Sequence, residues 1–323
     1  MTDKIKKILI ITLSNIGDVV LTFPAIDIIL NDYPDASVDV VVGPKAKSIL
    51  EGNPFFNEVI VYDKKEKPLA QLAWILSRAV KGYDLVIDFR QTAMPLFFLG
   101  SKRTPVFIRP KNVNHMRNKH IARLATIHKT DSRIKAKKAL HLPPELDLTK
   151  LLPLRIIEQG YVVIAPGSAS EEKCWDAKKF AELADHLFRE HKMNTVIVGD
   201  NNDSLAVAKM VRHMGTIPLN LCGKTDLVAL ADVLKSSRLF IGNDSGIAHI
   251  ASYIDVPVIA LFGPHCPGKY GPWGTKGIAI RKNEICEKCR TGKKNIKHNC
   301  MENINVSDIL DKLVIDGKSV VLN

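Results

Sequence analysis

Short apolar runs alternate along the chain with longer stretches of helical period. In the first half, "KILIITL" (7–13) precedes "VVLTFPAIDIILNDY" (19–33). "SVDVVV" (37–42), "AKSILEG" (46–52), "EVIVYD" (58–63), "LAQLAWILSRAVKG" (69–82) and "YDLVIDF" (83–89) follow. In the second half, "YVVIAPG" (161–167) precedes "DAKKFAELADHLFREH" (176–191) and "NTVIVGD" (194–200). After "SLAVAKMVRHMG" come "LVALADVLKSS" (227–237), "RLFIGND" (238–244), "GIAHIASYID" (246–255) and "PVIALFG" (257–263). The strand-like runs are continuous and rich in Val and Ile, with no hairpin signals between them. Such runs mark strands buried on both faces, and the intervening helical patterns mark βαβ units with parallel sheets. The pattern restarts after the Pro-containing stretch "HLPPELDLTKLLP" (141–153), which is read as a linker. The predicted fold is α/β: two Rossmann-like, doubly wound parallel-sheet domains, residues 1–150 and 151–323, facing across a cleft.

In sheets of this kind ligands bind beyond the carboxyl ends of the strands, where loops lead into helix N-termini. Three such loops carry polar residues. The first is "SNIGDVV" (14–20). Gly17 is expected to permit an unusual backbone turn, and Asp18 to lie at the mouth of the first strand, near the first turn of the next helix. From spacing alone, capping of that helix is the simpler role for Asp18. No G-x-G-x-x-G follows the strand, so this is not a dinucleotide fingerprint.

The second loop is "IAPGSASEEKCW" (164–175). Its small residues let a phosphate approach the backbone, the hydroxyl of Ser168 can donate to it, and Lys173 offers a point charge for a diphosphate. Trp175 reads as a packing anchor. The third is "FIGNDSGIAHIASYIDVPVIALFGP" (240–264). Asp244, Ser245 and Gly246 close a strand and open a helix whose free amides suit an anion. His249, five residues after Asp244, lines the same site or is a satisfied interior histidine. The following "LFGPHCPGKYGPWG" is read as a shaped surface loop.

Composition narrows the class. The chain of 323 residues is 46% hydrophobic and 25% charged, as in soluble globular proteins. No apolar run reaches the roughly 18–20 residues of a spanning helix. The charged N-terminus lacks a signal-peptide core and cleavage site. The expected location is the cytosol, peripheral to a membrane. Net charge is +12 and uneven. Residues 102–138 hold twelve Lys/Arg against one acid, Asp131. That imbalance points to an anionic partner, such as a phosphorylated glycolipid, a membrane or nucleic acid, unless it is only a solvated basic face.

Three of the six cysteines crowd into "CEKCRTGKKNIKHNCM" (286–301). Cys286, Cys289, His298 and Cys300 have the ligand types for a tetrahedral zinc. Loosely packed reduced thiols or a labile disulfide are the alternatives. The scattered remainder excludes a secreted disulfide framework.

Taken together, "SNIGDVVLTFPAI", "APGSASEEKCWDAKKFAELA", "IGNDSGIAHIASYIDVPVIALFGP" and "HNCMENI" resemble glycosyltransferase family 9, the bacterial heptosyltransferases of the lipopolysaccharide inner core. The resemblance spans nearly the whole chain. It implies a GT-B fold, with the acceptor on the N-terminal domain and the nucleotide sugar on the C-terminal one. It implies Asp18 as general base. Lys173 and the block from Asp244 to His249, with Ser168, would hold the donor, ADP-heptose. Asp203 matches an acidic position for the nucleotide ribose. On the acceptor side stand Gly17, Arg109, Lys111 and Arg117, facing an anionic glycolipid. Ala169 departs from the hydroxyl residue of the heptosyltransferases I. The cysteine cluster, present in many members and absent from others, is not catalytic on this reading.

The implied reaction is inverting. A carboxylate deprotonates the acceptor hydroxyl, which displaces the nucleoside diphosphate through an oxocarbenium-like transition state. No D-x-D triplet occurs, so transfer is expected to be metal-independent, with no cofactor and a monomeric chain. A nucleotide-sugar epimerase or another transferase on the same fold is the alternative enzyme, although an epimerase would need no basic acceptor face. A nucleic-acid binder is the alternative outside enzymes. Phe107 is the sole aromatic of segment 102–138, too few for a stacking platform, so no nucleic-acid partner is expected.

Overall fold

The computed structural model describes residues 5–106, 113–129, 137–143, 147–282, 286–291, 298–316 and 319–322. The chain divides into two compact units, Met1–His141 and Leu142–Asn323. The division falls at the start of the Pro-containing stretch, nine residues before the boundary drawn at 150.

The first unit runs β1 (Lys7–Ile11), α1 (Ile16–Val20), α2 (Phe23–Asp32), β2 (Ser37–Val42), β3 (Glu58–Val61), α3 (Pro68–Ala79), β4 (Leu85–Asp88), β5 (Lys102–Arg103) and α4 (Met116–Leu124). Its five strands are parallel, in the order β3-β2-β1-β4-β5. Successive residues of β1 point to opposite faces, and Ile8 to Ile11 are all fully buried, so both faces are covered. Leu9, Ile11, Val41 and Val86 pack with Tyr62, Ile75 and Phe98 on one side.

The sequence suggested one helix over 19–33. The structure has two, because Thr22 Oγ1 turns back onto Val19 O at 2.6 Å and Pro24 opens α2. Proline lacks the amide that a continuous helix would need there, and loses nothing in a first turn.

The second unit runs α5 (Leu154–Gln159), β6 (Tyr161–Ala165), α6 (Ala177–His191), β7 (Asn194–Ile197), α7 (Ser204–His213), β8 (Leu219–Asn220), α8 (Leu227–Lys235), β9 (Leu239–Asn243), α9 (Gly246–Tyr253), β10 (Val258–Leu261), α10 (Pro267–Tyr270) and β11 (Gly277–Ile280). After these come α11 (Glu287–Thr291), α12 (Val306–Leu310), β12 (Leu313–Asp316) and β13 (Ser319–Leu322). Six parallel strands are ordered β11-β10-β9-β6-β7-β8. Counted from β6, this is the strand order of a dinucleotide-binding domain. Strands β12 and β13 form a separate antiparallel pair.

Helix α6 packs into the core of this sheet. Asp176 caps it by accepting the Lys178 and Lys179 amides, and Phe180, Leu183 and Leu187 enter the core. Trp175 is buried with them, edge-on to Phe180 at 4.8 Å between centroids.

In both sheets the chain direction across the sheet reverses between two adjacent central strands, β1 and β4 in the first and β6 and β9 in the second. Loops leaving such a pair diverge to opposite faces and open a crevice at the carboxyl ends. The "SNIGDVV" loop leaves β1, while the "PGSAS" and "DSG" loops leave β6 and β9.

Candidate functional site

In the second unit the loops after β6 and β9 are joined by one side chain. Asn243, fully buried, donates from Nδ2 to Pro166 O (2.8 Å) and Gly167 O (3.3 Å), and accepts the Trp175 amide on Oδ1 (3.0 Å). The Ser168 hydroxyl adds a bond to Asp244 O at 3.2 Å. Asp244 is 7% exposed, and its Oδ2 receives Lys173 Nζ at 3.2 Å and His265 Nδ1 at 2.7 Å. Ser168, Lys173 and Asp244 therefore meet in space although up to 76 residues separate them.

Ser245 is the N-cap of α9, and Gly246 is its first residue. The Ser245 hydroxyl is buried and, among the described residues, has no hydrogen-bond partner. With the free amides of the first turn it is a donor available to an anion. His249 is buried one turn on and stacks against Trp273, centroids 5.9 Å apart at 20°.

Asp203 precedes α7 and belongs to a capping box, its Oδ2 accepting the Asp200 amide at 2.9 Å. Its carboxylate packs against Gly167, where a Cβ would overlap it, so only glycine admits it beside the Ser168 loop. Burial, with the Asp200 charge added, holds Asp203 above the usual carboxylate range despite that amide.

The sequence reading missed two members of this constellation. His265 lies in the Gly/Pro-rich segment read only as a shaped surface, although its place just beyond β10 was a usable signal. Asn243 was seen only as part of a strand end, and its role depends on partners in another loop.

In the first unit Asn15 is the N-cap of α1, and Asp18 is the third helical residue. Among the described residues the Asp18 carboxylate has one partner, Asn15 Nδ2 at 3.0 Å, and accepts no backbone amide. It is not a helix cap. Gly17 corrects the expectation of an unusual turn, since it is an ordinary helical residue with no left-handed φ. Next to this loop, Arg90, two residues past β4, donates to Ser14 Oγ and lies over the Tyr62 ring, 5.1 Å from its centroid. Burial lowers the Arg90 pKa.

Arg109 and Lys111 lie outside the described residues. Arg117 is on α4 and bonds the Asn118 side chain from Nε (3.0 Å) and Nη2 (2.9 Å). The basic segment is not simply a solvated face. Arg123 is fully buried and donates to Asp88 O at 2.6 Å and Pro105 O at 2.9 Å. Arg103 binds Pro95 O and Phe98 O, Lys137 binds Pro34 O, and Lys138 pairs with the buried Asp27 at 3.3 Å. Four of the eight described cations in 102–138 are thus tied into the fold.

Cys286, Cys289, His298 and Cys300 converge in the second unit, with one donor atom from each lying within 4.8 Å of the others. Against burial, bonds from the Cys289 and Asn299 amides, Cys300 and His298 bring the Cys286 thiol down to about 6. Burial and the neighbouring thiols push Cys289 up to about 12.

Two Rossmann-like domains, one with a crevice lined by a lysine, hydroxyls and a helix N-terminus, fit the GT-B class of glycosyltransferase. The model of glycosyltransferase family 9 (heptosyltransferase) matches residues 114–299, and the chain belongs to that family. It is 27% identical over 283 residues to lipopolysaccharide heptosyltransferase 3 of Escherichia coli K12, covering 80% of this chain and 82% of that one. A family 9 glycosyl transferase from Veillonella parvula superposes with a TM-score of 0.76 at 24% identity, over 96% of this chain and 97% of that one. The E. coli ADP-heptose LPS heptosyltransferase II gives 0.69 at 22% identity, over 94% and 96%.

Proposed function

We propose that this glycosyltransferase moves a heptose from ADP-heptose to an anionic glycolipid of the lipopolysaccharide inner core. One observation carries the donor half. Lys173, Ser168, Ser245 and the first turn of α9 surround the buried Asp244 at the point where β6 and β9 diverge. These groups are donors or positive ends, and they suit the negative charge that grows on a departing diphosphate. The names of two relatives support the sugar, the nucleotide and the acceptor class.

The acceptor half of the reading is Asp18. Its carboxylate is held by one side-chain amide rather than by backbone amides, which leaves an oxygen for a proton. In the proposed step the acceptor hydroxyl attacks the anomeric carbon, its proton passes to Asp18, the bond to the diphosphate oxygen breaks and ADP leaves. Configuration at the anomeric carbon inverts. Asp203 is assigned to the nucleotide ribose and His249 to the wall of the donor site. The first unit serves the acceptor and the second the donor.

A peripheral position on the cytoplasmic face of the inner membrane completes the reading. Helix α3 exposes Leu69 (82%), Leu72 and Leu76 along one side, its C-cap Val80 is 85% exposed, and Leu99 is 86% exposed. Lys64, Lys65 and Lys67 stand exposed just before the helix. Apolar residues flanked by lysines suit an anionic lipid surface. Among the described residues no helix is long and apolar enough to cross a membrane.

The donor is tested by thermal shift with ADP, UDP and GDP, since a ligand that binds only the folded state raises Tm. ADP is expected to give the largest rise. A larger rise with UDP overturns the ADP-heptose assignment.

A further inference from the structure

The cysteine cluster lies outside the groups assigned to transfer, yet it adjoins them. Cys286 Sγ and Cys289 Sγ stand 3.4 and 3.3 Å from His298 Nδ1. Cys300 Sγ is 3.2 Å from Cys286 Sγ and 3.6 Å from Cys289 Sγ. A tetrahedron with Zn–S bonds of about 2.3 Å has S···S edges of about 3.8 Å, so the four atoms already outline the corners of a small metal site. Three thiols and an imidazole drawn from two separate segments gain little from mutual contact, because thiols are weak donors and acceptors. The same set is a complete ligand sphere for Zn²⁺, with no open position.

The ligands also tie together parts of the fold. Cys286 and Cys289 flank or belong to α11, a helix of only five residues. Cys300 is 5% exposed and precedes Met301, which is buried in the core with Trp175. From α11, Lys288 Nζ reaches Glu172 Oε1 at 3.1 Å, and the His298 amide donates to the same oxygen at 3.4 Å. Glu172 is the neighbour of Lys173 on the short turn Glu171–Lys173. Both ligand segments therefore hold one carboxylate, and that carboxylate sits beside the lysine paired with Asp244.

We infer that Cys286, Cys289, His298 and Cys300 bind one Zn²⁺ as a closed structural site, and that this ion braces the Lys173 turn through Glu172. The ion joins α11 to the 298–301 segment, and Lys288 and the His298 amide then fix Glu172. Metal binding stands on the ligand set alone, whereas the bracing of a donor-binding lysine rests on the reading of Lys173 given above. In this role the zinc is a positioning element and does not touch the sugar or the diphosphate.

Full-length protein purified under reducing conditions, without added metal, is expected to carry one zinc per chain by elemental mass spectrometry. Exchange with Co²⁺ is expected to give the intense visible bands of a tetrahedral cobalt thiolate. Cys289→Ser is expected to lose the metal, Cys289→His to keep it, and Cys266→Ser, at an exposed thiol outside the cluster, to keep it. Glu172→Gln separates the two parts of the inference, retaining zinc while weakening ADP binding several-fold. Protein free of metal that takes up neither Zn²⁺ nor Co²⁺ overturns the site, as does a disulfide among the three cysteines in anaerobically prepared protein. Iron at the same stoichiometry overturns the choice of zinc. Full zinc with unchanged ADP affinity in Glu172→Gln overturns the bracing alone, and loss of ADP binding by wild-type protein with zinc intact refutes the donor reading instead.

Discussion

Lys173 and His265 share one oxygen of Asp244, at 3.2 and 2.7 Å. The carboxylate is buried and needs polar partners, and it has two, the Lys173 ammonium and the His265 ring. On the proposed reading a diphosphate arriving at this loop would compete for Lys173, leaving His265 to hold Asp244. Lys173→Ala is expected to weaken ADP binding about 10–100-fold, the worth of a charged hydrogen bond. Titration calorimetry checks it, and an affinity equal to wild type would remove Lys173 from the donor site.

Asn243 is the joint between the loops after β6 and β9, and its loss strands two kinds of backbone group at once. In Asn243→Leu the Trp175 amide and the Pro166 carbonyl lose their partner in a buried place. The expected cost is about 2–4 kcal/mol in urea unfolding. Asn243→Asp still accepts from Trp175 but cannot donate to Pro166, and should fall between.

Asp18→Asn is expected to slow transfer by about 10²–10⁴, the usual contribution of a general base, while ADP affinity and stability stay at wild-type values. Asp226 is the contrasting case, a true cap that accepts the Val228 and Ala229 amides. Asp226→Ala should cost about 1 kcal/mol of stability. If Asp18→Asn costs as much and transfer persists, Asp18 is a structural residue.

Much of the fold was legible because buried parallel strands announce themselves as unbroken Val/Ile runs. Strands β1, β2, β4, β6, β7, β9 and β10 all lie within such runs. Past residue 264 the signal failed. Strand β11, "GIAI", is four residues long after a Gly/Pro-rich loop; earlier in the chain, β5 (Lys102–Arg103) is two residues long, too short for any period to appear. The closing β12–β13 pair packs against the core only in part, so its pattern is weak. Within the candidate site, strand ends and turn residues could be read directly. Pairings such as Lys173 with Asp244, or Arg123 with Asp88 O, could not, because they are set by tertiary contact rather than by local sequence.

His120 supplies a pH dependence. It is buried edge-on to Phe89, 5.4 Å between centroids, and burial with the Arg123 charge lowers its pKa to about 4. The unfolded chain takes up this proton near pH 6.5, and the folded chain only near 4. The neutral ring therefore contributes stability above about pH 6.5 that is lost as pH falls towards 4, at most about 3 kcal/mol. Urea unfolding between these limits should show a shallower loss in His120→Gln than in wild type. Parallel curves would mean that His120 titrates normally.

The α3 face is tested with vesicles. Wild-type protein should co-sediment with vesicles containing anionic phospholipid, and Leu72→Glu with Leu76→Glu should bind at least several-fold less while folding normally. Equal binding by the double variant places the membrane contact elsewhere.

Each half of this chain has its own complete sheet and its own oily interior. Among the described residues neither borrows a strand from the other. The two compact units meet between His141 and Leu142, and a cut there is expected to leave each piece its own core to fold around. If the second unit binds the nucleotide as proposed, that recognition is a portable property of the C-terminal piece, open to grafting, recombination and separate production. Sugar transfer is not portable, since on the present reading the base is encoded more than a hundred residues upstream of the cut.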